Sequence, residues 1–178
     1  MAVLDIMLYP HAILRERCQE VRQFDQDLHQ LLDDMAETMY AANGAGLAAN
    51  QVASTQRVIV IDPSRDDRGS ELLELVNPTI TAFLGGRVVG EEGCLSFPDI
   101  YEPIERYEAI RFEAQDRYGA PIRIETDGFL AIVVQHEVDH LNGVLFIDKL
   151  SRLRQGLAKR KMKKRYGGTD LHRRLGEE

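Results

Sequence analysis

The sequence has no tryptophan, two cysteines and six prolines in 178 residues, and no apolar run approaching the ~18 residues of a membrane span. Each shortage excludes a class. Cys18 and Cys94 allow at most one disulfide, so this is not a disulfide-stapled scaffold, and a chain of this size needs no such staple. Either thiol is therefore available as a ligand. The opening MAVLDIMLYP lacks both the basic start and the long apolar stretch of a secretory leader, so a cytoplasmic protein with no membrane partner is expected. With 44% hydrophobic and 29% charged residues, the composition is that of a folded globular domain rather than a disordered or collagenous chain. The length suits one domain, and a monomer is expected.

Charge is unevenly spread. Residues 1–150 carry 12 Lys/Arg and 26 Asp/Glu, whereas 151–178 carry 10 Lys/Arg and 3 Asp/Glu. A basic arm on an acidic body hints at a polyanionic partner, with a solvated helix and a loose terminus as the plain alternative. The expected organisation is a single domain over 1–150, then a basic C-terminal helix and flexible tail over 151–178.

Asp25 can cap a helix in which Leu28, Leu31, Leu32, Met35 and Met39 recur at three- and four-residue spacing, and Asn43-Gly44 supplies its stop. Strands are expected at 57–62, 71–76, 87–90, 109–114 and 122–125, with a turn at 116–120. A second helix over 129–142 places Phe129, Ile132, Val133, His136, Glu137 and His140 on one stripe, and 152–165 forms a third. Strands lying between helices at the two ends predict an α+β fold.

The strongest chemical signal is His136-Glu137-Val138-Asp139-His140, an HExxH pattern inside the second helix. Residues four apart share a helical face, so both imidazoles can reach one ion while Glu137, one step round, reaches a water beside it. Two surface histidines are the bland alternative, but Ile132, Val133 and Val134 just upstream argue for burial, and buried polar groups are costly without a purpose. A catalytic metal wants a third protein ligand. Downstream, the longer peptidase pattern fails at Phe146, and Glu177 and Glu178 lie beyond a basic stretch. Upstream, Cys94 sits in a turn-prone segment, EEGCLSFP, where a small buried hydrophobe is the competing reading.

Three segments then occur together: GAGLAANQ at 44–51, EGCLS at 92–96 and QHEVDHL at 135–141. In motif, order and spacing the chain resembles the peptide deformylases, from roughly Leu4 to Leu150. These enzymes remove the formyl group from the N-terminal methionine of new proteins. The resemblance implies mixed, mainly antiparallel strands packed around a central HExxH helix, with an N-terminal and a C-terminal helix. It implies Cys94, His136 and His140 as ligands of one divalent metal per chain, Fe(II) first, with Zn(II), Ni(II) or Co(II) as other occupants. Glu137 would move the proton, and Gln51 with the backbone N–H of Leu95 would hold the oxyanion. Ala45, Gly46 and Gly93 would pair with an extended N-formylmethionyl nascent peptide, and Phe129, Ile132 and Val133 would line the methionine pocket. Glu92 and Arg106 would form a supporting ion pair, and the basic C-terminal region would contact the ribosome. Ala45 replaces a larger aliphatic residue, Gly90 falls where some relatives place an apolar pocket residue, and Tyr101 stands where some carry a substrate-contacting arginine. A roomier or differently shaped pocket follows.

Two other readings are weighed beside this one. A metallopeptidase using the same helix would not depend on Cys94. A ribosome- or RNA-binding module with a structural metal would show salt-sensitive binding and no turnover.

Overall fold

The structure, a computed structural model, describes residues 2–64, 69–167 and 172–173. In chain order these form β1 (Ile6–Met7), α1 (Gln26–Ala41), β2 (Gly46–Ala48), β3 (Val58–Ile61), β4 (Leu73–Cys94), β5 (Phe97–Gln115), β6 (Pro121–Asp127), α2 (Gly128–Leu141), α3 (Arg152–Tyr166) and β7 (His172–Arg173). The fold is α+β, as expected. Five strands make one antiparallel sheet in the order β2-β3-β4-β5-β6, and β1 pairs with β7.

The four residues of β3 show how the sheet divides the interior. Side chains alternate across a strand, so Val58 and Val60 pack with Leu28, Leu32, Met35 and Met39 of α1. Ile59 and Ile61 face the other way, toward Ala131, Val134, Val138 and Leu141 of α2. Asp25 caps α1 by accepting from the Leu28 N–H at 3.1 Å, as its position before the apolar repeat predicts. Helix α2 is buried on most of its circumference, so His136, Glu137 and His140 lie inside the protein. Gly143 ends that turn at φ 72°, and its Cα backs so closely onto Arg15 that a Cβ would lie 2.4 Å from the Arg15 carbonyl oxygen. Only glycine meets both demands.

Two expected boundaries differ. The strands read at 71–76 and 87–90 are parts of one strand, β4, and the strand read at 109–114 is the end of β5. Pro78, the Gly85-Gly86 pair and Pro103 break the sequence signal. Irregularities in register at 76/79, 80/82 and 84/87 let the ribbon bend without ending. Beyond α3, where a loose terminus was expected, His172 and Arg173 return to pair with Met7 and Ile6. Helix α3 itself is anchored, because Ala158 and Met162 are buried with Leu8, Phe97, Ile104 and Phe146. Among the described residues no helix is long and apolar enough to cross a membrane.

Candidate metal centre

Cys94 is the last residue of β4, and a tight Leu95-Ser96 turn pairs it with Phe97 at the start of β5. That hairpin carries the sulfur to the face of α2 that bears His136 and His140, whose ring centroids are 5.0 Å apart. Cys94 Sγ lies 3.2 Å from His140 Nε2. One donor atom from each of the three residues falls within 4.8 Å of the others. One sulfur and two imidazole nitrogens so placed can hold a metal ion together, and three protein ligands are the number that leaves a catalytic ion a position for water or substrate.

The histidines are prepared for such an ion. Glu92 Oε2 lies 2.9 Å from His136 Nδ1. Burial opposes ionisation of Glu92, but hydrogen bonds from His136 and Arg106 outweigh it and hold the carboxyl at about 2. An ionised carboxylate only accepts, so His136 Nδ1 donates and Nε2 is left toward Cys94. Burial would lower the His136 pKa, yet hydrogen bonds to Cys94 and Glu92 raise it to about 10, so a cation bound at Nε2 must displace a proton there. Burial pushes His140 well below the usual imidazole range and keeps it neutral, the form a metal binds.

Glu92 is itself clamped by Arg106, Nε to Oε1 at 2.5 Å and Nη2 to Oε2 at 2.9 Å, with both side chains buried. The same guanidinium reaches Asp139 at 2.8 Å, which Lys149 also contacts at 3.1 Å. A charged chain thus runs from the protein edge to the His136 ring.

Glu137 is buried with its Oε2 unpartnered among the described residues, and burial raises its carboxyl to about 7. Its other oxygen sits against the backbone of β2, where a Cβ on Gly46 would fall 2.6 Å away. Gln51 is oriented from behind. Its Oε1 accepts from the Ala48 N–H at 2.9 Å, so its Nε2 is turned to Ser96 Oγ at 3.1 Å and Cys94 Sγ at 3.6 Å.

Residues 3–156 match the polypeptide deformylase family. The chain is 49% identical to the peptide deformylase of Alkalilimnicola ehrlichii over 92% of its own length and 91% of that protein. Its structure is similar to the crystal structure of a peptide deformylase from Legionella pneumophila, with TM-score 0.87 and 42% identity over 92% of this chain and 95% of that one. It is also similar to the Ehrlichia chaffeensis peptide deformylase in complex with actinonin, with TM-score 0.88 and 37% identity over 94% and 100% of the two chains. The chain belongs to the peptide deformylase family. That family's activity is metal-dependent N-formyl removal, so the chain is a hydrolase of protein biosynthesis.

The residues anticipated for the deformylase site fall into two groups. Cys94, His136, His140, Glu137, Gln51, Glu92 and Arg106 converge, and Val133 and Gly46 join them. A Cβ on Gly46 would lie 2.8 Å from Val133 Cγ1. Gly44 abuts the Leu95 side chain in the same way, so the 44–46 and 93–95 segments face each other. Gly93 lies beneath the Tyr101 ring. Ala45 and Phe129 instead line an adjoining pocket of about 290 Å³ with Tyr40, Asn43, Asp62 and Pro63, and Ile132 is half-buried. Larger cavities around Arg17, Cys18 and Arg57 do not include the metal ligands.

Four supporting residues escaped the sequence reading although they lie inside the quoted motifs. Ser96 receives Gln51, and Asp139 receives Arg106. Asn50 Nδ2 donates to the His140 carbonyl at 2.7 Å. Gln135 bonds the N–H and C=O of Tyr107. Each is a polar letter with no chemistry of its own, and only the fold supplies its partner.

Proposed function

We propose that Cys94, His136 and His140 hold one divalent cation, Fe(II) first among the ions suited to thiolate and imidazole, and that the substrate is the N-formylmethionyl end of a nascent protein. The observation that carries the reading is the convergence of these three donors beside a buried carboxylate with an unpartnered oxygen. When bound, the ion supplies Lewis-acid polarisation and lowers the pKa of water.

The chain's own groups complete the chemistry. Glu137 accepts a proton at Oε2 from the attacking water and delivers it to the departing amine nitrogen. Gln51 Nε2 and the Leu95 N–H donate to the oxygen on which negative charge develops, donors whose loss typically costs about 100-fold or more in rate. Substrate binds as an added strand. β2 is the edge of the sheet, so its outer side can pair with an extended peptide, with Ala45 and Gly46 on one wall and Gly93 on the other. Phe129, Ile132 and Val133 supply apolar surface for the methionine side chain.

The reaction takes place in the cytoplasm on a monomer, with 1–150 as the catalytic unit and 151–178 as a basic appendage that contacts the ribosome. The exposed cations Arg152, Arg160, Lys161, Lys163 and Lys164 on α3 support that contact. Release of formate from formyl-Met-Ala-Ser by anaerobically metal-loaded protein tests the reading. Absence of release with one metal bound per chain overturns it.

A further inference from the structure

Residues 17–20 run beside 55–57, away from the metal ligands. The Gln19 N–H donates to the Thr55 carbonyl at 2.7 Å, and the Arg57 N–H donates to the Gln19 carbonyl at 2.8 Å. The Cys18 N–H donates to the carbonyl of Leu141, the last residue of α2, at 2.9 Å. Arg17 and Arg57 thereby line one groove of about 550 Å³, together with Ile80 and Phe83 of β4 and Val138 and Asn142 at the end of α2. That is the size of a small-molecule site. Arg57, Arg106 and Arg117 are all drawn in from solvent, yet their partners differ. Arg106 holds Glu92 and Asp139, and Arg117 holds Glu74 and Asp33. Arg57 has neutral oxygens alone: Nη1 donates to Asn142 Oδ1 and Nη2 to the Pro78 carbonyl, both at 3.0 Å. Among the described residues no carboxylate pairs with Arg57 or with Arg17.

The other ionisable groups of the groove do not supply the missing charge. Glu20 lines it without pairing to either arginine, and Asp139 is taken by Arg106 and Lys149. Burial pushes the Cys18 thiol up to about 11, so it stays neutral. Burial, and after it the charge of Arg17, lowers the Arg57 pKa. Two cations, one half-buried, thus share a concave site without a paired countercharge, a costly arrangement that a bound anion relieves. We propose that Arg17 and Arg57 bind a phosphate group in this groove, with Ile80 and Phe83 against the rest of the molecule that carries it. Two guanidinium groups reaching in from two chain segments match the charge of about −1.5 to −2 and the spread oxygens of a phosphate. A planar, singly charged carboxylate matches one guanidinium. Phe83 is 53% exposed and offers an aromatic surface on which a nucleobase can stack. The phosphate is therefore either free or the 5′ group of a nucleotide.

The test titrates zinc-loaded protein with inorganic phosphate and follows the side-chain Nε–H groups of Arg17 and Arg57 by NMR. Both should shift together and half-saturate at about 1 mM, as two or three charge-assisted hydrogen bonds provide. Arg17→Gln and Arg57→Gln should each weaken binding about 10-fold or more. In thermal unfolding, about 20 mM phosphate should raise Tm by about 4–7 °C over sodium chloride of equal ionic strength. Arg57→Gln should remove that increment, which phosphate bound at the metal or acting through bulk solvent would leave in place. Arg17 is exposed, so Arg17→Gln tests the same point without disturbing the interior if Arg57→Gln fails to fold. Adenosine monophosphate distinguishes the sources. Binding about 10-fold tighter than inorganic phosphate, lost in Phe83→Ala, assigns a nucleotide, and equal affinity assigns free phosphate. A phosphate response that chloride reproduces, or that survives in both arginine variants, overturns the inference. Acetate that shifts the two arginines at the same concentration as phosphate overturns it too.

Discussion

Gly46 and Glu137 touch across the site: a methyl group on Gly46 would lie 2.6 Å from Glu137 Oε1 and 2.9 Å from its Cγ. The absence of a side chain on β2 therefore sets where the carboxylate stands. Gly46→Ala should displace Glu137 and lower kcat about 100-fold, the usual cost of misplacing a reacting group by about an ångström. Destabilisation of about 1–3 kcal/mol should accompany it. Metal content should not change, so kinetics beside metal analysis separates displacement from loss of the ion. An unchanged kcat contradicts the contact's role.

The buried Glu137 carboxyl also predicts a pH effect on stability in the chelator-treated protein. Burial raises it from 4.5 to about 7. A raised carboxyl binds more protons folded than unfolded, so its contribution is complete below pH 4.5 and is lost as pH rises through about 7. Glu92, held at about 2, acts below that window, whereas His136, raised from 6.5 to about 10, acts from 6.5 upward and overlaps its top. Glu137→Gln has no carboxylate to bury. In urea unfolding it should match the wild type at pH 4.5 and exceed it at pH 8 by on the order of 3 kcal/mol. Parallel stability profiles for the two proteins contradict this.

The clamp of Arg106 on Glu92 predicts a loss of metal without any change of ligand. Glu92→Gln removes the ionised acceptor that fixes the His136 tautomer, and should weaken metal affinity about 10- to 100-fold in a chelator competition. Arg106→Ala leaves Glu92 and Asp139 without their buried cation and should destabilise by about 3–5 kcal/mol as well. Unchanged metal content and activity in Arg106→Ala counts against the bracing role.

Helix α3 calls for charge reversal rather than truncation as the test of ribosome contact. Cutting the chain at Leu150 would uncover the apolar cluster that Ala158 and Met162 close. Reversing Arg160, Lys161, Lys163 and Lys164 together, all exposed, leaves that packing alone. Ribosome affinity should fall about 10-fold or more at low salt, with a shallower salt dependence. Turnover of a formylated tripeptide should not change. Equal affinity removes the helix from ribosome contact.

The parts of this protein legible in its sequence are those whose signal is local. The Asp25 cap and the leucine-methionine repeat foretold α1, the β-branched run foretold β3, and HExxH placed two imidazoles on one helical face. The long ribbon was not legible, because Pro78, Gly85-Gly86 and Pro103 read as breaks. In the fold, Pro103 sits where its missing N–H is not needed by β4. Nor could spacing join Cys94 to His136 across two strands and the turns that precede them. The resemblance to the deformylases made that link, and the β4–β5 hairpin supplies its physical cause. Asp139, Ser96 and Gln135 stayed hidden because their value lies wholly in partners distant along the chain.

The account stands most directly on one comparison, in which bound metal and formate release are measured together for the wild type, Glu137→Ala and Cys94→Ser, using formyl-Met-Ala-Ser under anaerobic conditions. The wild type should bind one ion and turn over. Glu137→Ala should keep the ion and lose turnover, and Cys94→Ser should lose the ion and turnover together. Turnover that survives in Cys94→Ser, or a fully metal-loaded wild type that releases no formate, contradicts the account.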